Sequence, residues 1–277
     1  MRLLLSLLLL STPLLRLRAA ETGPDASGLR LERLPDGTRY AVIGEPGPQP
    51  APTLFVFQGD IDTARREPIF TAVARLVARH GFLSVVIDAP AHGEDHRPGE
   101  PKELEAWNWR VDHGEKLVDG FVIRARAVLD HLVSTKRTDP TRVAAVGTSR
   151  GGFLAFHFAA AEPRIRFVGG ISPVTDLMAL REFSATTRRA GVDALALPTL
   201  APRLAGRPAW ISIGNHDTRV GTDQAIAFSR ALVAAAPPAT EKIPVELIVH
   251  SVPGHRSSEQ DHVRLAAWLL EQFGRNP

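Results

Sequence analysis

Short apolar runs alternate with longer amphipathic stretches along most of this 277-residue chain. The runs at 54–58, 83–87, 143–147, 167–171, 209–214 and 245–250 are rich in β-branched and aromatic side chains and predict strands. Between them, apolar positions recur at helical spacing near 67–80, 114–135, 150–161, 222–236 and 258–273. Strands interleaved with helices predict βαβ units and a mostly parallel, doubly wound sheet. Two earlier runs, 29–34 and 39–43, flank Pro35-Asp36-Gly37 and predict a hairpin, set off from the main body by a Pro/Gly-rich stretch at 44–52. No internal repeat interrupts the pattern. A single α/β domain over 21–277 is expected, with the long connection 174–206 expected to form a small helical lid.

The first twenty residues read differently. Arg2 precedes an apolar run from Leu3 to Leu15, and Ala19-Ala20 supplies small residues at its end, the pattern of a cleavable export signal. That run spans about 20 Å as a helix, short of the ~30 Å hydrocarbon core, so no membrane span is expected once the leader is removed. The expected location is secreted or periplasmic. The chain holds 33 basic and 30 acidic side chains, and its pI near 9.8 invites a nucleic-acid partner. Arg2, Arg16 and Arg18, all in the leader, are the whole of that excess. No nucleic-acid partner is expected of the mature chain. With no cysteine, disulfides, thiolate metal sites and a cysteine nucleophile are excluded.

In open α/β sheets, chemistry sits beyond the carboxyl ends of the strands. The strongest signal there is Gly147-Thr148-Ser149-Arg150-Gly151, a G-x-S-x-G between an apolar strand and a helical stretch. That context is a nucleophile elbow: a serine on a tight, strained turn, flanked by glycines because side chains would crowd the strand and helix. Asp217 follows the strand at 209–214, and His255 follows the one at 245–250, giving the order Ser, Asp, His. In this reading His255 takes the Ser149 proton, and Asp217 holds the imidazole tautomer. Asp176 is the rival acid, with helix capping as its plainer role. His250 and His262 are weaker rivals for the base.

From about Thr53 to Phe273 the sequence resembles an α/β-hydrolase of the dienelactone hydrolase and prolyl-oligopeptidase-like branch. The carrying segments are Leu54-Phe-Val-Phe-Gln-Gly-Asp60, Asp88-Ala-Pro-Ala-His-Gly93, Gly147-Thr-Ser-Arg-Gly-Gly152, Gly214-Asn-His-Asp217 and Pro253-Gly-His255. The resemblance implies an oxyanion hole made by the backbone N–H of Arg150 and one from the first post-strand loop. Asp60 or Gly59 supplies the latter, because this chain has Gln58-Gly59 where many relatives have His-Gly. Asp88 and His92 are expected to fix their loop. His92, Asp95 and His96 lack helical ligand spacing, so no metal or other cofactor is expected. The Arg150 side chain is expected to brace the elbow against an acid, the alternative being a substrate carboxylate. For Trp107 and Trp109, core packing is expected over an acyl or sugar pocket.

The expected activity is a serine hydrolase cleaving small-molecule or carbohydrate esters through an acyl-enzyme. Its alternatives are a serine peptidase, an acyltransferase and, from another class, a non-catalytic binding module. Ester cleavage is preferred because few residues precede the first main strand, whereas peptidases of the branch usually carry a propeller there.

Overall fold

The computed structural model describes residues 28–45, 47–237 and 244–275, so the expected leader lies outside the described residues. Eight strands form one sheet: β1 (Arg30–Arg33), β2 (Arg39–Ile43), β3 (Ala51–Phe57), β4 (Leu83–Ile87), β5 (Thr138–Thr148), β6 (Ile165–Ile171), β7 (Ala209–His216) and β8 (Val245–Pro253). Their order is β1-β2-β4-β3-β5-β6-β7-β8. The pairs β1/β2 and β2/β4 are antiparallel, and from β4 onward every pairing is parallel. The hairpin expected around Pro35-Asp36-Gly37 is the β1/β2 pair.

The apolar runs of β3 to β7 lie inside because helices cover both faces of the sheet, whereas the edge strand β8 stays partly exposed. Val143 to Val146 of β5 are essentially inaccessible to solvent. One layer holds α1 (Ile61–Arg66), α2 (Ala72–Ala78) and α9 (Glu259–Arg275). Leu265, Leu269 and Phe273 recur every four residues on α9, and Phe273 meets Phe82 and Phe167 edge-on at 4.9 and 4.8 Å. The opposite layer contains α3 (Glu103–Asp112), α4 (Asp119–Ser134), α5 (Arg150–Ala161) and α8 (Thr222–Ala235). No helix among the described residues is long and apolar enough to cross a membrane.

Two helical stretches divide differently from expectation. The stretch at 67–80 opens as a 3-10 turn at Pro68–Thr71 before α2, with Pro68 at the first position, where a missing N–H costs no intrahelical bond. The stretch at 114–135 begins only at Asp119. Gly114, at φ +80°, closes the preceding helix α3, with its N–H on Val111 O. Residues 174–206 fold into short 3-10 turns with α6 (Arg189–Asp193) and α7 (Ala201–Leu204). Leu177, Phe183, Val192, Leu197 and Leu204 bury into the core of the sheet face, so this segment packs as part of the helical layer.

Candidate active site

Ser149 sits between β5 and α5 at φ +54°, ψ −117°, a strained left-handed conformation for a non-glycine residue. The turn is tied to β6 and to the segment that follows it. Ser149 N–H donates to Ile171 O at 2.9 Å, and Ser149 O accepts from Val174 N at 3.1 Å. The flanking glycines are required by contact. A Cβ on Gly147 would fall on the backbone of Gly151, and one on Gly151 would fall on the Phe57 carbonyl at the end of β3. The turn can therefore press against the neighbouring strand only without side chains.

The structure brings Ser149, His255 and Asp217 together. Ser149 Oγ–H donates to His255 Nε2 at 2.9 Å, and His255 Nδ1–H donates to Asp217 Oδ2 at 2.8 Å. The other carboxylate oxygen of Asp217 accepts from Arg219 N (2.9 Å) and Val220 N (3.1 Å). Burial pushes the Asp217 carboxyl up, but the His255 bond and these backbone donors outweigh it and hold the group below its ordinary range. An ionised Asp217 is thus fixed against the Nδ1–H tautomer, which leaves Nε2 free to accept a proton.

The rivals lie elsewhere. Asp176 caps a 3-10 turn, accepting from Met178 N at 2.8 Å. His250 faces Asp261 at 3.3 Å, and His262 Nδ1 bonds Ser258 O at 2.9 Å. His92, Asp95 and His96 go to separate partners: Pro90 O, Ala91 N with Arg110, and Pro101 O.

Ser149 opens on a cavity of about 390 Å³ that also exposes Asp60, Phe70, Leu104, Arg150 and His255. None of residues 174–206 lines it. They reach its rim through Val174, whose N–H bonds Ser149 O, and through Glu182, which holds the cavity residue Arg219 with two hydrogen bonds of 2.7 and 2.8 Å. The cavity is lined by the start of α3 and the segment after β3, while the apolar side chains of 174–206 pack in the core.

Both expected oxyanion residues line this cavity. Arg150 is the first residue of α5, so its N–H lacks an intrahelical acceptor. The orientation of the Gly59–Asp60 peptide follows from its carbonyl. Gly59 O accepts from Ala89 N at 2.8 Å, on the β4 side of β3. In a trans peptide the N–H points opposite to the C=O, so Asp60 N–H faces the β5 side, where Ser149 lies. The buried Gln58 side chain folds back so that Nε2 donates to Asp60 O.

Asp88 and His92 shape the loop after β4, as expected. Asp88 accepts from Ile61 N, Glu94 N and Arg39, while His92 Nδ1–H donates to Pro90 O at 2.7 Å. Trp107 is fully buried and donates Nε1–H to the same carbonyl at 2.7 Å, and Trp109 stacks on His113. The Arg150 guanidinium pairs with Glu103 and with His92 Nε2, which is the bracing role. Sequence reasoning did not find Glu103 or Arg219. Their charge gave no signal by itself, and Glu103 lies 47 residues from its partner.

A mostly parallel eight-stranded sheet with a serine on a strained strand-to-helix turn is the α/β-hydrolase fold. Within that class the chain belongs to the prolyl oligopeptidase family, whose model matches residues 70–276. It is 30% identical to the uncharacterized protein YcjY of Escherichia coli over 101 residues, which are 36% of this chain and 29% of that one. The match thus spans under a third of that relative's length. Among solved structures, TT1662 from Thermus thermophilus superposes with a TM-score of 0.67 at 22% identity, over 88% of this chain and 97% of that one. An S-formylglutathione hydrolase from Agrobacterium tumefaciens gives 0.63 at 17% identity, over 90% and 95%.

Proposed function

We propose that this protein is an exported carboxylic-ester hydrolase in which Ser149, His255 and Asp217 form the catalytic triad. The observation that carries the reading is the unbroken hydrogen-bonded chain from Ser149 Oγ through His255 to Asp217 at the floor of an open cavity. Ser149 Oγ attacks the ester carbonyl carbon while its proton passes to His255 Nε2. The tetrahedral oxyanion is met by the N–H groups of Arg150 and Asp60, each worth about 3–4 kcal/mol to the transition state. The alkoxide leaves with the proton held by His255. Water, deprotonated by the same imidazole, then adds to the acyl-enzyme; the bond from the acyl carbon to Oγ breaks, His255 returns the proton to Ser149 Oγ, and the carboxylic acid is released.

Ester substrates are supported by the charge balance of the wall. Arg150 is neutralised by Glu103 and Arg219 by Glu182, so neither is a free cation for the carboxylate end of a peptide. Phe70 and Leu104 offer apolar surface to a small acyl or alcohol group. Family membership favours a second reading, a serine peptidase. Export is supported by the leader pattern at 1–20, and protein sequencing of the secreted or periplasmic form should begin near Glu21.

A fluorophosphonate probe tests the chemistry. It should label the native protein and fail on Ser149→Ala and on heat-denatured protein. A folded protein that never labels sinks the reading. Aryl esters of increasing acyl length, run beside aminoacyl amides and acetylated sugars, decide the substrate class. Faster turnover of the amides would replace the esterase reading with the peptidase one.

A further inference from the structure

One wall of the cavity carries a side-chain relay that the triad does not use. Arg150 hydrogen-bonds with one guanidinium nitrogen to two partners: Nε2 of His92, on the loop after β4, and Oε2 of Glu103, the first residue of α3. Pro90 O can only accept, so Nδ1 carries a hydrogen, and Nε2 faces both the Arg150 guanidinium and Glu103 Oε2, the latter at 3.3 Å. Trp107 Nε1–H, on the same carbonyl, fixes the height of that loop. The His92 ring is buried, and its Cδ2 lies 3.3 Å from where a Cβ on Gly59 would stand, so it packs against the residue before Asp60. Glu103 itself holds a left-handed backbone, φ +58°, at the start of α3. A conformation of this kind persists where surrounding contacts hold it, and here it presents the carboxylate to Arg150.

These contacts join the two halves of one device. Arg150 carries one proposed oxyanion donor on its backbone, and Gly59 precedes the other. The two N–H groups belong to different loops, after β5 and β3, and among the described residues no backbone hydrogen bond outside the strand pairing joins those loops. We propose that Glu103 and His92 are positioning residues of the oxyanion hole, which set the spacing of the Arg150 and Asp60 N–H groups through the Arg150 guanidinium. This rests on the hydrolase reading of Ser149. Backbone donors cannot be tuned by changing their own side chains, so their aim depends on what packs behind them, and a tolerance near 0.5 Å leaves little slack. Losing a donor outright lowers kcat by about 10²–10³, and a misaimed donor should lose part of that.

The test is a double-mutant cycle read in kinetics. Glu103→Ala is expected to lower kcat roughly 10-fold to 100-fold with KM within about twofold. Glu103→Gln, which keeps an acceptor, should recover part of the loss. A trifluoromethyl ketone that forms the oxyanion adduct should bind more weakly by the same factor as kcat/KM falls. In an Arg150→Leu background, Glu103→Ala should change kcat less than about twofold, because the relay is already cut. The proposal is overturned if Glu103→Ala and Glu103→Gln leave kcat unchanged in a protein whose wild type labels with fluorophosphonate. It is equally overturned if the Glu103 and Arg150 effects multiply independently, or if the loss appears in KM alone. A folded wild type that neither labels nor turns over any ester fails the hydrolase reading instead, so the two failures are distinguishable.

Discussion

Asp88→Ala tests how the loop beside the site is held. Asp88 is 6% exposed, and its carboxylate accepts from Ile61 N (2.9 Å), Glu94 N (3.1 Å), and Arg39 Nη2 and Nε (3.0 and 3.2 Å). Burial raises this carboxyl above its ordinary range in spite of those donors, so the buried ion pair is close to neutral when its desolvation is included. Truncation does not return that desolvation as stability, because the donors stay behind. Two orphaned backbone N–H groups cost about 1–3 kcal/mol each, and breaking a buried pair costs about 3–5. Arg39 keeps Asp62 at 3.1 Å, which removes much of the ionic share. The sum expected for Asp88→Ala is therefore about 3–5 kcal/mol, or roughly 6–20 °C in Tm for a chain of this size.

Asp88→Asn separates the two contributions. It keeps the shape and one acceptor oxygen while removing the buried charge, so its cost should be about half that of the alanine variant. Urea denaturation and thermal melts of both variants make the measurement. A cost under about 1 kcal/mol for Asp88→Ala, or an asparagine variant less stable than the alanine one, would refute the reasoning. Because Ile61 N adjoins Asp60, kcat should fall as well in Asp88→Ala.

Three further outcomes are expected. Asp217→Asn should lower kcat by about 10⁴ with the fold kept, while Asp176→Asn should leave kcat nearly unchanged and cost at most about 1 kcal/mol as a weakened cap; steady-state kinetics giving the reverse order would move the acid to Asp176. Gly151→Ala should destabilise by at least about 1–3 kcal/mol, because its Cβ lands on the backbone of Phe57 rather than on a side chain that can swing away, and a wild-type melting curve would contradict this. Arg164, with help from Arg126, holds the buried Glu162 carboxyl down to about 2 against an ordinary 4.5. Its folded value is the lower one, so its contribution, on the order of 3 kcal/mol, is full above pH 4.5 and is lost as pH falls toward 2. Glu162→Gln should flatten that part of the stability profile measured by denaturation at successive pH values.

The central strands were legible because burial on both faces demands unbroken apolar runs, and every run expected in the main body lies within a strand apart from a terminal residue. Helix boundaries were less legible. Leu104, Trp107 and Val111 stand on one face of α3 and did carry a helical signal, but Gly114 read as an opening rather than as the left-handed residue that ends that helix. Glu103 concealed the start, since its left-handed backbone follows Lys102, which makes no side-chain cap. The expectation for 174–206 rested on length and position after β6, whereas its role depended on where its leucines found space. That space was in the core.

Sequence order alone left two acids open, and the sheet supplies the reason for choosing between them. Asp176 and Asp217 both follow Ser149, both precede His255 and both accept backbone N–H bonds. They differ in the strand that carries them. Asp176 follows β6, which is separated from β8 by β7, whereas Asp217 follows β7, the direct neighbour of the strand that delivers His255. One strand spacing is about 4.8 Å, so an acid after β6 would have to reach a full strand further to meet the imidazole. Adjacency of this kind belongs to the assembled sheet. Asp217 also keeps its second carboxylate oxygen for His255 while the first accepts backbone donors, so the fixing of the acid and the orienting of the base fall to different atoms of one side chain.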